Sequence, residues 1–380
     1  AEVIKISSPK NGDPVANAPP FAGAEGVSFK KLDEDDIGLA YLKRNRGKKS
    51  ITLNLKDERG VSLFYDLVKS SDVIVENFRF GVTKRLGIDY EAVKRFNPEI
   101  IYCSITGYGN NGPDKELKAY DTMIQAASGL MSITGNTNEA PLKAGSAISD
   151  GISGTFAAMS IISAVFNKFR TGKGDFIDVA MSDCLFSLVF DEPLDCYRKL
   201  GVPERQGNRI TRFSPFNSYK SKDQWVVIGA ATDKDWKNIL NVIGRNDLQE
   251  HVDFSRIEWR LENNSVIDQL ISDWCESRKS NEISMLLNQN EIPNSIVMNI
   301  DEILERKQTL ERNMVEKIQH PSKGELPFAH AAAFPIKFSQ AKTGYLSAAP
   351  SLGEHTDEIL SEILELDKRQ IFEMRKNGII

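Results

Sequence analysis

The sequence predicts an α/β protein: a parallel sheet with helices on both faces, and a smaller α+β part after it. Three observations predict it. Apolar runs of strand length alternate with segments of helical spacing up to about residue 109. The texture changes after residue 190, where Pro, Gly and charged residues crowd together. At 380 residues the chain is longer than one core usually supports.

Taken in order, "EVIKI" (2–6) is a buried strand and "SSPKNGDPVANAPP" a loop. "KSITLNL" (49–55) alternates apolar and polar residues as a strand does. Residues 56–71 put Val61, Phe64, Leu67 and Val68 on one helical face. "DVIVENF" (72–78) is a strand, two short helices follow, and Asn97-Pro98 stops the second. "EIIYCSITGYG" (99–109) is a strand running into a Gly-rich loop. Residues 151–170 form one long helix stopped by "TGKG", then "FIDVAM" (176–181) is a strand and 182–190 a helix. "QWVVIGA" (224–230) opens the α+β part, which is rich in helices to about residue 312. The three prolines of 320–338 suggest an extended return segment, and Thr356 is placed to cap a last helix.

Composition excludes several classes. Apolar residues make up 41% and charged residues 27%, as in ordinary globular proteins. The 48 Lys+Arg against 53 Asp+Glu leave a net charge of −5, which advertises neither a nucleic acid nor an anionic membrane as partner. The longest uncharged run, Gly151 to Asn167, falls short of the ~20 residues of a membrane span. Cys103, Cys184, Cys196 and Cys275 are scattered without metal-ligand spacing, as are the four histidines, so buried thiols in a reducing compartment and no metal are expected. There is no GxGxxG, no GxxxxGKS or GxxxxGKT, and no GxSxG, which disfavours dinucleotide, NTP and serine-hydrolase sites.

What remains is a polar, basic set at predicted strand ends: Lys56, Asn77, Arg85 and Lys118. Each alone is more often a solvated surface residue. Asp150 stands among small residues in "AGSAISDGISG", ahead of the long helix. An aspartate there is more often a helix cap than a nucleophile.

Order and spacing change the weight of these residues. The segments "NRGKKSITLNLK" (45–56), "DVIVENFRFGVTKRLGIDY" (72–90), "NPEIIYCSITGYGNNGP" (97–113), "KAYDTMIQAASGLMSITG" (118–135), "SDGISGTFAAMSII" (149–162), "FRTGKGDFIDVAMSDCLFSLV" (169–189) and "PSLGEHTDEIL" (350–360) resemble, in family order, the class III CoA-transferases, or CaiB/BaiF group. Each motif is weak alone; seven in order, spanning nearly the whole chain, are specific. The intervals between Asn77, Lys118 and Asp150 resemble those of the family's formyl-CoA transferase branch.

The resemblance implies that Asp150 is the catalytic aspartate. It implies that Leu53, Lys56, Asn77, Phe78, Arg85, Lys118, Ala119, Tyr120 and Asp121 hold CoA. CoA would pass from an acyl-CoA donor to a free carboxylic acid through an aspartyl anhydride and an aspartyl-CoA thioester. The helix start would keep Asp150 ionised, its N–H groups would stabilise an oxyanion, and the small neighbours would leave room for the thioester. The implied architecture is a Rossmann-like CoA-binding domain at 1–190 plus 325–380, a linker at 191–214, a small α+β domain at 215–312 and a return linker at 313–324. An interlocked homodimer in the cytoplasm is the implied setting.

Departures from the family pattern narrow the expectation. The family's first strand–helix unit, whose turn lies beside the thioester, has no counterpart before Ala1 and is expected to be missing. Ser7 stands where many members have Glu, so the neighbouring adenine contact does not transfer. Residues 207–225 lack the glycine run of the formyl-CoA branch, which makes formyl-CoA and oxalate doubtful substrates. The α-methylacyl-CoA racemases share the fold but use a histidine where this chain has Ala119, which disfavours racemisation. A non-catalytic acyl-CoA binder is the third reading.

Overall fold

The computed structural model describes residues 1–380, which separate into two compact units. The first comprises Ala1–Lys118, Gly154–Ala180 and Asp301–Ile380; the second comprises Ala119–Ser153 and Met181–Ile300.

In the first unit, strands Ile4–Ser7 and Lys49–Thr52 pair in parallel, Ile6 opposite Ile51. Strands Val73–Glu76, Ile101–Thr106 and Asp175–Ala180 form a second parallel sheet in that spatial order. Helix Glu58–Lys69 is capped by the Asp57 carboxylate and buries Leu63, Phe64, Leu67 and Val68. Those side chains share one core with Ile51 and Leu53 from the first pair and with Ile100 and Tyr102 beside the second. Gly174 is required by close approach: a Cβ there would lie 2.2 Å from the Ile100 carbonyl oxygen.

Two segments differ from expectation. Residues 320–338 do not run on as an extended return. Strands Val315–His320 and Gly324–Ala332 make an antiparallel hairpin over a small core that includes Leu42, Ile318 and Leu326. The register jumps between Lys317 and Ile318, leaving residues 327–329 without partners, and this is where Pro327 is tolerated. Thr356 is not a cap either. It is the first residue of helix Thr356–Leu364, after His355, and its buried hydroxyl accepts the Thr52 N–H at 3.2 Å.

In the second unit, strands Phe216–Lys220, Trp225–Gly229 and Asn294–Ile296 form an antiparallel sheet. Helices Asp233–Val242, Asn264–Glu276 and Ser280–Gln289 pack on it around Trp236, Ile239, Ile271 and Ile283. Residues 191–215 include a short helix, Leu194–Lys199.

The long helix is Ile148–Thr171, starting three residues earlier than its apolar pattern suggests. Gly172, at φ +66°, ends it. At 24 residues and mean hydropathy 1.3 it is long and apolar enough to cross a membrane by length and composition, and 17% of its most apolar stretch is buried. Met159, Ile162, Phe166 and Phe169 make an exposed apolar stripe along it. All four cysteines are free; Cys103 and Cys275 are buried, but Cys196 is exposed, contrary to the expectation of four buried thiols.

Candidate active site

Asp150 is the third residue of the helix, exposed in its first turn rather than ahead of it. The capping bonds at this helix end come from elsewhere in the chain. Asp121 Oδ1 accepts the Ser149 N–H at 2.8 Å, the Ser149 hydroxyl at 2.8 Å and the Asp150 N–H at 3.4 Å. Burial alone would raise the Asp121 pKa. Hydrogen bonds from the Ser149 side chain, Gln125 and the Ser149 and Asp150 N–H groups outweigh it and hold the carboxyl below its ordinary range.

Gln125 completes the arrangement. It is fully buried, one turn along helix Asp121–Ala127 from Asp121. Its Nε2 donates to Asp121 Oδ2 at 2.7 Å and to the Ser146 carbonyl at 3.3 Å, and its Oε1 accepts the Ala144 N–H at 2.8 Å. The "AGSAISD" segment is thus held from one side chain at Ala144 and Ser146 and from another at Ser149 and Asp150. An added Cβ at Gly145 or Gly151 would meet nothing within 4 Å, so the small residues do leave open space beside Asp150.

One expectation about this helix start fails. The Ile148 N–H donates to Ser146, those of Ser149 and Asp150 to Asp121, and that of Gly151 to Ala147. None of these backbone donors is left over for an oxyanion.

Of the residues expected to hold CoA, the first unit brings Lys56 and Arg85 together. Lys56 comes from the turn after the Lys49–Thr52 strand and Arg85 from helix Val82–Leu86. Both line a cavity of about 910 Å³ that also takes in Lys69 and Lys84. Tyr65 and Phe96 wall it, their rings stacked at 4.0 Å between centroids. Glu58 and Asp66 line it too, so the four cations are partly offset, and Lys56, Lys84 and Arg85 beside the aromatic wall are the groups that suit a phosphorylated aromatic ligand. Lys69 is spaced by helical periodicity from Asp66, its ion-pair partner at 2.7 Å, and the sequence pattern singles out neither it nor Lys84.

The other candidates take different places. Leu53 is a core residue, 1% exposed, and its N–H donates to the Ser7 carbonyl at 3.0 Å. Asn77 and Phe78 lie exposed at the C-terminal end of the Val73–Glu76 strand and do not line the cavity. Asn77 Nδ2 donates to the Ile105 carbonyl, and the Phe78 N–H donates to Glu76 at 2.7 Å. Lys118 and Tyr120 are exposed and Ala119 half-buried in the segment leading to Asp121. The "GYGNNG" loop is pinned rather than open. The Asn110 N–H and Nδ2 both donate to the Asp178 carboxylate, and Nδ2 also to the Ser104 hydroxyl. Burial pushes the nearby Glu76 carboxyl up, hydrogen bonds from Ser104 and Phe78 oppose this, and Asp178 adds to it.

The first unit thus carries a parallel α/β sheet and a cation-lined cavity, and the second an exposed carboxylate in the first turn of a helix. Residues 1–356 match the model of CoA-transferase family III. The chain is 30% identical over 381 residues to the human succinyl-CoA:glutarate CoA-transferase, covering all of this chain and 84% of that protein. It is 30% identical over 372 residues to the succinate–glutarate CoA-transferase of Agrobacterium fabrum, covering 97% and 90%. A solved CaiB/BaiF family protein from Brucella suis superposes with a TM-score of 0.80 at 30% identity, covering 96% of this chain and 92% of that one. The chain belongs to CoA-transferase family III, the CaiB/BaiF proteins, and is a CoA-transferase.

Proposed function

We propose that the protein transfers CoA from succinyl-CoA to a dicarboxylic acid of the glutarate kind, with Asp150 as the nucleophile. The observation that carries this is the division of labour at the helix start: Asp121 supplies the capping bonds and Asp150 stays exposed in the first turn. The names of the similar proteins support the choice of donor and acceptor.

The Asp150 carboxylate attacks the thioester carbonyl, the C–S bond breaks, and CoA leaves as thiolate from a mixed aspartyl–succinyl anhydride. The thiolate attacks the aspartyl carbonyl, the anhydride C–O bond breaks, and succinate departs. Asp150 then carries CoA as a thioester. The acceptor carboxylate repeats the two steps in reverse, leaving as its CoA thioester and regenerating the carboxylate. A carboxylate suits this role because its anhydride is activated enough to hand the acyl group on. The field at the helix start favours its ionised form.

The cavity lined by Lys56 and Arg85 takes the nucleotide phosphates of CoA, and Asn77, Phe78, Lys118, Ala119 and Tyr120 contact the rest of the cofactor. Lys56→Ala and Arg85→Ala each raise the KM for succinyl-CoA by about tenfold, more at low salt than at high, with kcat changed far less. Steady-state kinetics at two ionic strengths check this, and an effect confined to kcat would contradict it. The function itself is tested by mixing the protein with succinyl-CoA and glutarate and following the appearance of glutaryl-CoA. Deuterium exchange at the α-carbon without CoA transfer would point to racemisation instead.

The two parallel strand groups belong to one Rossmann-like sheet, a reading supported by their common core. A second copy of the chain, interlocked with the first, covers the stripe of Met159, Ile162, Phe166 and Phe169; a contiguous exposed apolar face on this scale supports a partner. Sedimentation at micromolar concentration gives the mass of two chains, and Phe166→Glu with Phe169→Glu gives one. Flotation of the wild type with neutral lipid vesicles would contradict the dimer as the cover. The free cysteines support a reducing, cytoplasmic setting, and the net charge of −5 supports no nucleic-acid partner.

A further inference from the structure

We infer that Gln125 is a positioning residue for the transfer, holding the Asp150 carboxylate in place through Asp121 and through the segment that leads into the helix. The inference rests on the reading of Asp150 as nucleophile and adds to it a residue that touches neither substrate nor CoA.

The geometry makes Gln125 the junction of two arms. One runs from Nε2 to Asp121 Oδ2 at 2.7 Å, and from Asp121 Oδ1 to Ser149 and Asp150. The other runs from Oε1 and Nε2 to Ala144 and Ser146, which fixes the chain just before the turn. Both amide protons and the carbonyl of a 0% exposed side chain are used. No other residue can do all of this. A glutamate supplies two acceptors but no donor, and it sets a second carboxylate against Asp121. A methionine of similar volume supplies neither. Because the segment ahead of the helix, Ala144 to Ala147, is small-residue chain, its course depends on these bonds more than on packing. A nucleophile must meet the thioester carbonyl at a set distance and angle, so a loosened first turn lowers the rate of attack more than it weakens CoA binding.

Gln125→Met and Gln125→Glu are compared with the wild type, using succinyl-CoA as donor and glutarate as acceptor across a pH series. Circular dichroism and thermal melting establish that each is folded. The expected result is a fall in kcat of about tenfold or more in both variants, with the KM for succinyl-CoA within about twofold. In Gln125→Glu, kcat relative to wild type recovers as the pH falls, because the protonated acid regains an O–H donor for Asp121. Gln125→Met shows no such recovery. If Gln125 is only a packing residue, the variants melt earlier while kcat and its pH profile follow the wild type, and that outcome overturns the proposal. Trapping the acyl adduct on Asp150 in the wild type separates the two readings. An adduct together with undiminished kcat in both variants overturns the positioning role alone. Absence of the adduct overturns the nucleophile and the positioning role with it.

Discussion

Replacing Asp150 by Ala lowers CoA transfer by about four orders of magnitude or more, while the affinity for succinyl-CoA stays within about twofold. The size of the effect follows from covalent catalysis: without the carboxylate neither the anhydride nor the enzyme thioester can form. Asp150→Asn gives the same loss, and the alanine variant is the cleaner probe because an asparagine followed by Gly151 can deamidate back to aspartate. The stability of these variants separates the two roles open to an aspartate at a helix start. A capping aspartate would cost about 1 kcal/mol when removed. Here the N–H groups of Ser149 and Asp150 are already bonded to Asp121, so Asp150→Ala leaves those capping bonds in place. A large loss of stability with turnover retained would make Asp150 a structural residue.

Asp121→Asn has the second largest effect, and it falls on both properties. The asparagine oxygen can keep the Ser149 bond, but its amide then meets the Gln125 Nε2 donor that now lies 2.7 Å from Asp121 Oδ2. A donor facing a donor, plus a lost charge at the helix start, costs about 1–2 kcal/mol of stability. Turnover falls roughly tenfold to a hundredfold as the first turn loosens. The effect on stability depends on pH with a definite sign. The folded pKa of Asp121 is depressed below its ordinary 3.8, so its contribution is present above that value. It is lost as the pH falls through the folded pKa. Urea unfolding of wild type and variant therefore shows a constant gap from about pH 5 upward that closes below about pH 4. A gap that persists unchanged into acid would show that the charge on Asp121 is not what anchors the helix.

The parallel strands were legible because each is a short apolar run beside a helix of clear periodicity. Val73–Glu76 and Ile101–Thr106 fall inside the runs that predict them, and Asp175–Ala180 lies one residue ahead of its predicted run, 176–181. The start of the long helix was not legible. Ser149 is a capping type of residue, but its N–H and hydroxyl both donate to Asp121, 28 residues away in the chain, and nothing local marks that bond. For the same reason Asp150 resembled a cap in sequence and is not one in space. The hairpin of 315–332 was hidden by Pro327, which reads as a strand breaker unless the bulge that accommodates it is known. At the site, Lys56 and Arg85 stood out through the resemblance, whereas Lys69 and Lys84 have nothing in their spacing to mark them as facing the same cavity. Gln125 was invisible for a different reason: a single amide in an apolar helix gains its meaning only from what the fold places around it.

The most direct test of the account is to find the covalent intermediate. The protein is incubated with succinyl-CoA without acceptor, treated with hydroxylamine, digested, and the peptide carrying Asp150 is read by mass spectrometry. The account predicts an aspartyl hydroxamate at Asp150, formed only when succinyl-CoA is present and absent from Asp150→Ala. Transfer to glutarate at full rate with no modification of Asp150, or with the hydroxamate on another carboxylate, would contradict it.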